Sequence, residues 1–188
     1  MAAAELTKAA GSRQALAGLR RAWVQAYVAI WLATFGSGLF VAASGTPVRA
    51  TVRQVLGLCF SPECSTPRQG VLALLAHNLP VEGWPVLLGL LGAHRAQVSR
   101  RIADAILSTA LLANVLPVGA ALGAYGPPLL PYLPQLPLEW AGLAVGASAW
   151  LLQRRKPLTV SEGLALTTLI AALVLGAGIA ETFGVPHR

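Results

Sequence analysis

The sequence predicts an all-α fold, a polytopic membrane bundle of about five transmembrane helices, and three observations carry that prediction. Of the 188 residues 55% are hydrophobic and only 11% are charged, with a mean hydropathy of +0.64. A water-soluble domain carries about 25% charged residues, so this chain has too few charges to cover a water-facing surface. The apolar residues gather in runs near the ~20 residues that a membrane helix needs, and most runs are apolar all round rather than striped as in a surface helix of a soluble bundle. The basic residues sit in short clusters between the runs, as the positive-inside rule requires.

Residues Met1 to Leu19 are Ala-rich and mildly basic and read as a short cytosolic helix or tail. The expected division is a cytosolic segment, 1–22, followed by a single helical membrane domain, 23–188. The first run, "WVQAYVAIWLATFGSGLFVAA", extends from Trp23 to Ala43. It is span-length and lacks a small-residue cleavage site, so it is expected to stay as a span rather than be removed as a leader.

The stretch that follows is "SGTPVRATVRQVLGLCFSPECSTPRQ". Val48, Val52, Val55 and Leu56 recur in it at helical spacing against Arg49 and Arg53. That pattern suits a short helix lying on the membrane surface, and equally an amphipathic connector packed on the bundle. The same stretch holds both cysteines, Cys59 and Cys64. Outside the cytosol a disulfide is permitted and Ser61-Pro62 can turn the chain to close it, so a structural bond is favoured over two free thiols.

The second run, Gly70 to Gly92, carries His77, Asn78 and Glu82 together with Pro80 and Pro85. Proline removes a helical hydrogen bond and crowds the preceding turn, so a kink or break near mid-membrane is expected there. The third run, Ile102 to Tyr125, carries Asp104 and Asn114. The connection "GPPLLPYLPQLP" has no charge and five prolines, and is expected to be stiff and extended. The fourth run, Leu138 to Leu152, opens just after Pro137 with Glu139 in its first turn, and the fifth, Glu162 to Val185, is flanked by Glu162 and Glu181.

Orientation follows from the loops. Lys8, Arg13, Arg20, Arg21, Arg95, Arg100, Arg101, Arg154, Arg155 and Lys156 fall on one side if all five runs span, against Arg49, Arg53, Arg68 and Arg188 on the other. Ten against four places the N-terminus in the cytosol and the C-terminus outside. The same distribution, with no interleaving of basic and aromatic residues, argues against nucleic acid as the partner of a chain whose net charge is +7.

Ionisable residues inside spans are costly and face the protein interior or a water-filled cavity. Asn78 and Glu82 stand four apart and share a helix face. Polar groups at a proline-broken helix are how many transporters build a binding site. The alternative is that they hydrogen-bond neighbouring helices and lock the bundle, which is preferred for Asn78 and Asn114 and is close to even for Glu82. Templates for catalysis are missing: the sequence has no HExxH, no G-x-S-x-G and no Walker A stretch, and no metal or other cofactor is called for. The expectation is a protein that is not an enzyme.

Four stretches, in order, resemble the stage II sporulation protein M family of membrane proteins. "HN" at His77-Asn78 is similar to the family's paired asparagines, and "NVLPVG", Asn114 to Gly119, to its Asn-Gly-x-x-x-Gly block. "PQLPLEWAGLAVGA" resembles its Pro-His-Gly-x-x-Glu-Leu block with Glu139 on the glutamate, and "GAGIAETFGVP" its terminal Ile-Glu-x-x-x-x-Pro block with Glu181 on the glutamate. This chain departs from the family at His77, Val115, Gln135 and Leu136. The resemblance implies a non-catalytic scaffold in the bacterial inner membrane that anchors a membrane or extracytoplasmic partner. Related members accompany transport systems, which makes the membrane subunit of an ATP-driven export or immunity system, with an ATPase subunit as partner, the alternative. The candidate ligand- or partner-binding residues are therefore His77, Asn78, Glu82, Asn114, Glu139 and Glu181. The lipid bilayer is the other partner, and self-association is left open.

Overall fold

The computed structural model describes residues 2–58, 71–93, 95–154 and 157–184. Its elements are α1 (Ala2–Ala43), α2 (Gly45–Leu56), α3 (Val71–Leu90), α4 (Gln97–Tyr125), a 3-10 turn (Pro127–Tyr132), α5 (Leu136–Gln153) and α6 (Val160–Gly184), with no strand among the described residues. Ala17–Ala43 of α1, α3, α4 and α6 are long and apolar enough to cross a membrane. All five runs read from the sequence are helices at the expected places. α1 is unbroken through residue 22. The cysteine pair, Cys59 and Cys64, lies outside the described residues.

α5 sits at the centre. Every residue from Trp140 to Trp150 is buried, with α1, α3 and α6 packed around it. α4 lies against the outer side of α1 and reaches α5 where Ala103 and Leu107 meet Trp150. The four helices around α5 present many large apolar side chains outward, Leu32, Leu39, Phe40 and Leu72 among them. An apolar exterior of this kind is what lipid, not water, tolerates.

Two devices bring the helices together. The first is an aromatic row on α1: Trp23, Tyr27, Trp31 and Phe35 are spaced four apart and so share a face. Trp23 stacks on Tyr27 at 5.1 Å, Trp31 on Phe35 at 5.2 Å, and Trp31 meets Trp140 of α5 edge-on at 6.5 Å. The Trp23 indole also donates to the Ala141 carbonyl at 3.2 Å. The second device is glycine. Gly119 and Gly123 lie four apart on α4 and face Gly38 of α1, so that a Cβ on Gly38 would stand 2.9 Å from the Gly119 carbonyl oxygen. A Cβ on Gly119 would overlap the Thr34 carbonyl and the Ser37 hydroxyl, and one on Gly123 the Gly38 carbonyl. Small residues at this spacing let membrane helices touch backbone to backbone, and Ser37 Oγ uses the closeness to donate to the Leu116 carbonyl at 3.3 Å.

One expectation changes and two that were left open are narrowed. α3 is one continuous helix through Pro80 and Pro85, not a broken one. Each proline deletes a single hydrogen bond from a 20-residue ladder, and Pro85 is buried against α5 at Gly146, which holds the turn in place. The proline-rich connection is not extended: Pro127–Tyr132 winds as a 3-10 turn with Leu129 buried at 4% exposure. A proline φ near −65° suits both conformations, and burial of Leu129 selects the compact one. α2 is docked on the bundle rather than lying free: Arg53 donates from Nε and Nη2 to the Ala124 carbonyl at 2.8 and 2.6 Å, and Tyr125 donates back to the Arg53 carbonyl at 3.1 Å. The guanidinium thereby meets a carbonyl at the C-terminal end of α4, where cations are favoured.

Candidate functional site

The polar residues inside the bundle concentrate on the seam between α3 and α5. α5 offers a groove there because Gly142 and Gly146, four residues apart, have no side chains to fill it. The Glu82 carboxylate of α3 occupies the space a Cβ on Gly142 would take, and the Glu82 backbone carbonyl lies against Gly146. Glu82 is the eleventh residue after Val71, hence about 16 Å along a helix of about 30 Å. That puts it near the middle of the span. It is 3% exposed, and its Oε2 has no hydrogen-bond partner among the described residues.

A small cavity of about 10 Å³ opens beside this carboxylate between α3, α4 and α5, with Glu82, Pro85, Leu107, Asn114 and Leu143 among its walls. That volume admits about one water molecule. The Asn114 amide nitrogen is committed to the Ala110 carbonyl at 2.7 Å, one turn back on its own helix. Asn114 lines the cavity but is otherwise exposed, and it makes no bond to a neighbouring helix among the described residues.

One turn outward on α3, Asn78 Nδ2 donates to Glu139 Oε1 across the seam at 3.4 Å. Asn78 and Glu82 thus share the α5-facing side, as their spacing requires. Glu139 lies in the first turn of α5, and Glu181 lies near the end of α6 that packs beside the start of α5, where Gly176 approaches Leu138 and Gly184 approaches Pro134. Glu139 and Glu181 thus share one end of the bundle, and with Asn78 and Glu82 they make a polar line toward its middle. His77 does not join it: it is exposed, about 100° around the helix from Asn78.

At the other end of the seam, Gln153 of α5 is fully buried with its amide over Gly89 of α3, where a Cβ would overlap it. Neither amide atom of Gln153 has a hydrogen-bond partner among the described residues. Nearby, Asp104 of α4 accepts from the Trp150 indole at 2.8 Å and pairs with Arg154. This is a tie between helix ends rather than part of the polar line. Glu162 is structural as well. It accepts from the Thr159 N–H at 2.8 Å while Thr159 Oγ1 accepts from the Glu162 N–H at 3.2 Å. That reciprocal pair is a capping box at the start of α6.

Chemically, one buried carboxyl with an oxygen unpartnered among the described residues, a water-sized space beside it and two further carboxyls toward one end of the bundle can take up and pass a proton. Hard divalent cations need six or more oxygen ligands or near-octahedral geometry, and among the described residues no group of three or more His, Cys, Asp or Glu side chains is placed to hold a metal ion. No protein-family model matches this chain, nor does any curated protein or solved structure.

Proposed function

We propose that this chain is a five-span protein of a bacterial cell membrane, with its N-terminus in the cytosol, and that it is a transport component in which Glu82 carries a proton at mid-membrane. The buried, unpartnered Glu82 oxygen carries this reading. A polar group placed to lock a bundle would be matched by a donor on a neighbouring helix, as Asn78 matches Glu139; Glu82 has instead a glycine surface and a cavity. An intramembrane acid held at that cost is retained for what it does. The length of α5 supports the fifth span, since 18 residues reach about 27 Å, close to the ~30 Å hydrocarbon core. The basic bias supports the orientation.

The test is proton flux into liposomes loaded with a pH-sensitive dye and holding the purified protein under an imposed potassium diffusion potential. The wild type is expected to acidify or alkalinise the lumen faster than empty liposomes, and Glu82→Gln to abolish the difference with thermal stability unchanged. Equal flux from both proteins would refute the role. Topology is read separately by thiol labelling of single cysteines at Ser99 and Thr46 in a background lacking Cys59 and Cys64. Label at Ser99 is expected from the cytosolic side only and at Thr46 from the outer side only.

A second reading, the partner-anchoring scaffold that the stage II sporulation protein M likeness implies, is favoured by one feature. The proline-bearing turn and the end of α6 expose Leu130 at 60% and Phe183 at 71% at the expected outer surface, where an extracytoplasmic partner would dock.

A further inference from the structure

We infer that the groove between α1 and α6 is a seat for one anionic phospholipid of the cytosolic leaflet, an inference that rests on the membrane-spanning reading. α1 and α6 flank α5 without closing over it, and the space left has a volume of about 320 Å³. That lies in the range of pockets that hold small ligands, about 300–1,000 Å³. Leu19 and Trp23 of α1 and Leu166, Leu169 and Leu173 of α6 form its sides, with Val145 of α5 as its floor. Leu173 lies seven residues beyond Leu166 on α6, or about 10 Å, a length suited to the upper part of an acyl chain. The Trp23 indole is fixed by its bond to Ala141, so one wall is rigid before anything binds.

The charge at one end decides the occupant. Among the described residues, Arg20 is the only ionisable one lining the groove. It is exposed, and it makes no ion pair among the described residues, where Arg154–Asp104 is the pair formed. Arg21 is exposed beside it. An apolar trough ending at a free guanidinium matches a molecule with an apolar chain and an anionic phosphate. Guanidinium binds phosphate through paired N–H donors, and the cytosolic leaflet supplies such lipids. An apolar helix from another protein would fill the trough without supplying an anion to Arg20.

Delipidated protein titrated with phosphatidylglycerol or phosphatidylcholine and followed by native mass spectrometry tests this. The wild type is expected to hold one phosphatidylglycerol about fivefold more tightly than phosphatidylcholine, the ratio that about 1 kcal/mol per basic side chain near the surface produces. Arg20→Gln should erase the preference and keep the binding. Leu169→Trp, at a position 46% exposed and so outside the packed core, should block the trough and remove the tight lipid altogether. Equal affinity for the two lipids, or an unchanged preference in Arg20→Gln, overturns the proposal while leaving the membrane reading intact. Recovery of the wild type in the soluble cell fraction overturns both.

Discussion

Replacing Gly119 by leucine should separate α1 from α4, and the size of the effect follows from the geometry. The new Cβ would overlap the Thr34 carbonyl and the Ser37 hydroxyl. A flexible side chain could swing away from such a contact; the Thr34 backbone cannot, so the helices themselves must part. Over-packing of a tight contact costs about 1–3 kcal/mol, and backbone resistance places this site near the top of that range. The Ser37–Leu116 bond at 3.3 Å is lost with it, worth about 0.6 kcal/mol in membrane bundles. A total of about 3 kcal/mol lowers the unfolding midpoint of a chain this size by about 6–12 °C. The assay is thermal unfolding in detergent followed by intrinsic fluorescence, since five tryptophans report on the bundle. The control is Gly36→Ala. A Cβ at Gly36 meets nothing within 4 Å, and alanine in a helix interior is favoured over glycine by about 0.5–1 kcal/mol, so this variant should match or exceed the wild type. A Gly119→Leu midpoint within about 1–2 °C of the Gly36→Ala midpoint, instead of about 6–12 °C below it, would refute the claim that backbone contact at Gly119 holds α1 to α4.

Two further outcomes are expected. Glu82→Met replaces a carboxyl whose oxygen lacks a donor with an apolar chain of similar shape; relief of an unsatisfied buried group is worth about 1–3 kcal/mol, so the variant should unfold at a higher temperature, whereas a bundle-locking glutamate would make it less stable. Thr159→Ala removes the capping box and should cost about 1 kcal/mol, read as earlier hydrogen exchange in the first turn of α6 with the rest of that helix unchanged.

The positions of the helices were open to inspection in the sequence because run length and membrane thickness are the same measurement in two forms. What the runs could not tell was how each helix is turned about its axis. Asn78 and Glu82 were placeable on one face, and they do share the α5-facing side; that His77 lies outside that face depends on where α5 sits, which is a tertiary fact. The close approaches had a signal in "GAALG", Gly119 to Gly123, and "GLAVG", Gly142 to Gly146, and so did the capping box in "TVSE", Thr159 to Glu162. The proline-rich connection was misjudged for a physical reason: its fixed φ belongs equally to an extended strand of chain and to a tight turn, and only Leu129, drawn into the bundle, separates them. The continuity of α3 through two prolines likewise depends on a neighbour, Gly146, that no local pattern on α3 announces.

The enclosure of α5 has a consequence for how the protein is made. A helix that ends up touching only other helices is released from the demand to dissolve in lipid, and α5 has used that release to carry Glu139, Ser148 and Gln153 among small residues. The same release leaves it a poor passenger on its own. On the five-span reading proposed above, it leaves the ribosome before α6 and enters the bilayer with only the earlier helices to shelter it. Insertion of α5 is then a cooperative act, dependent on α1 and α3 already waiting, and a chain cut short before α6 would present quality-control proteases with a half-dressed helix.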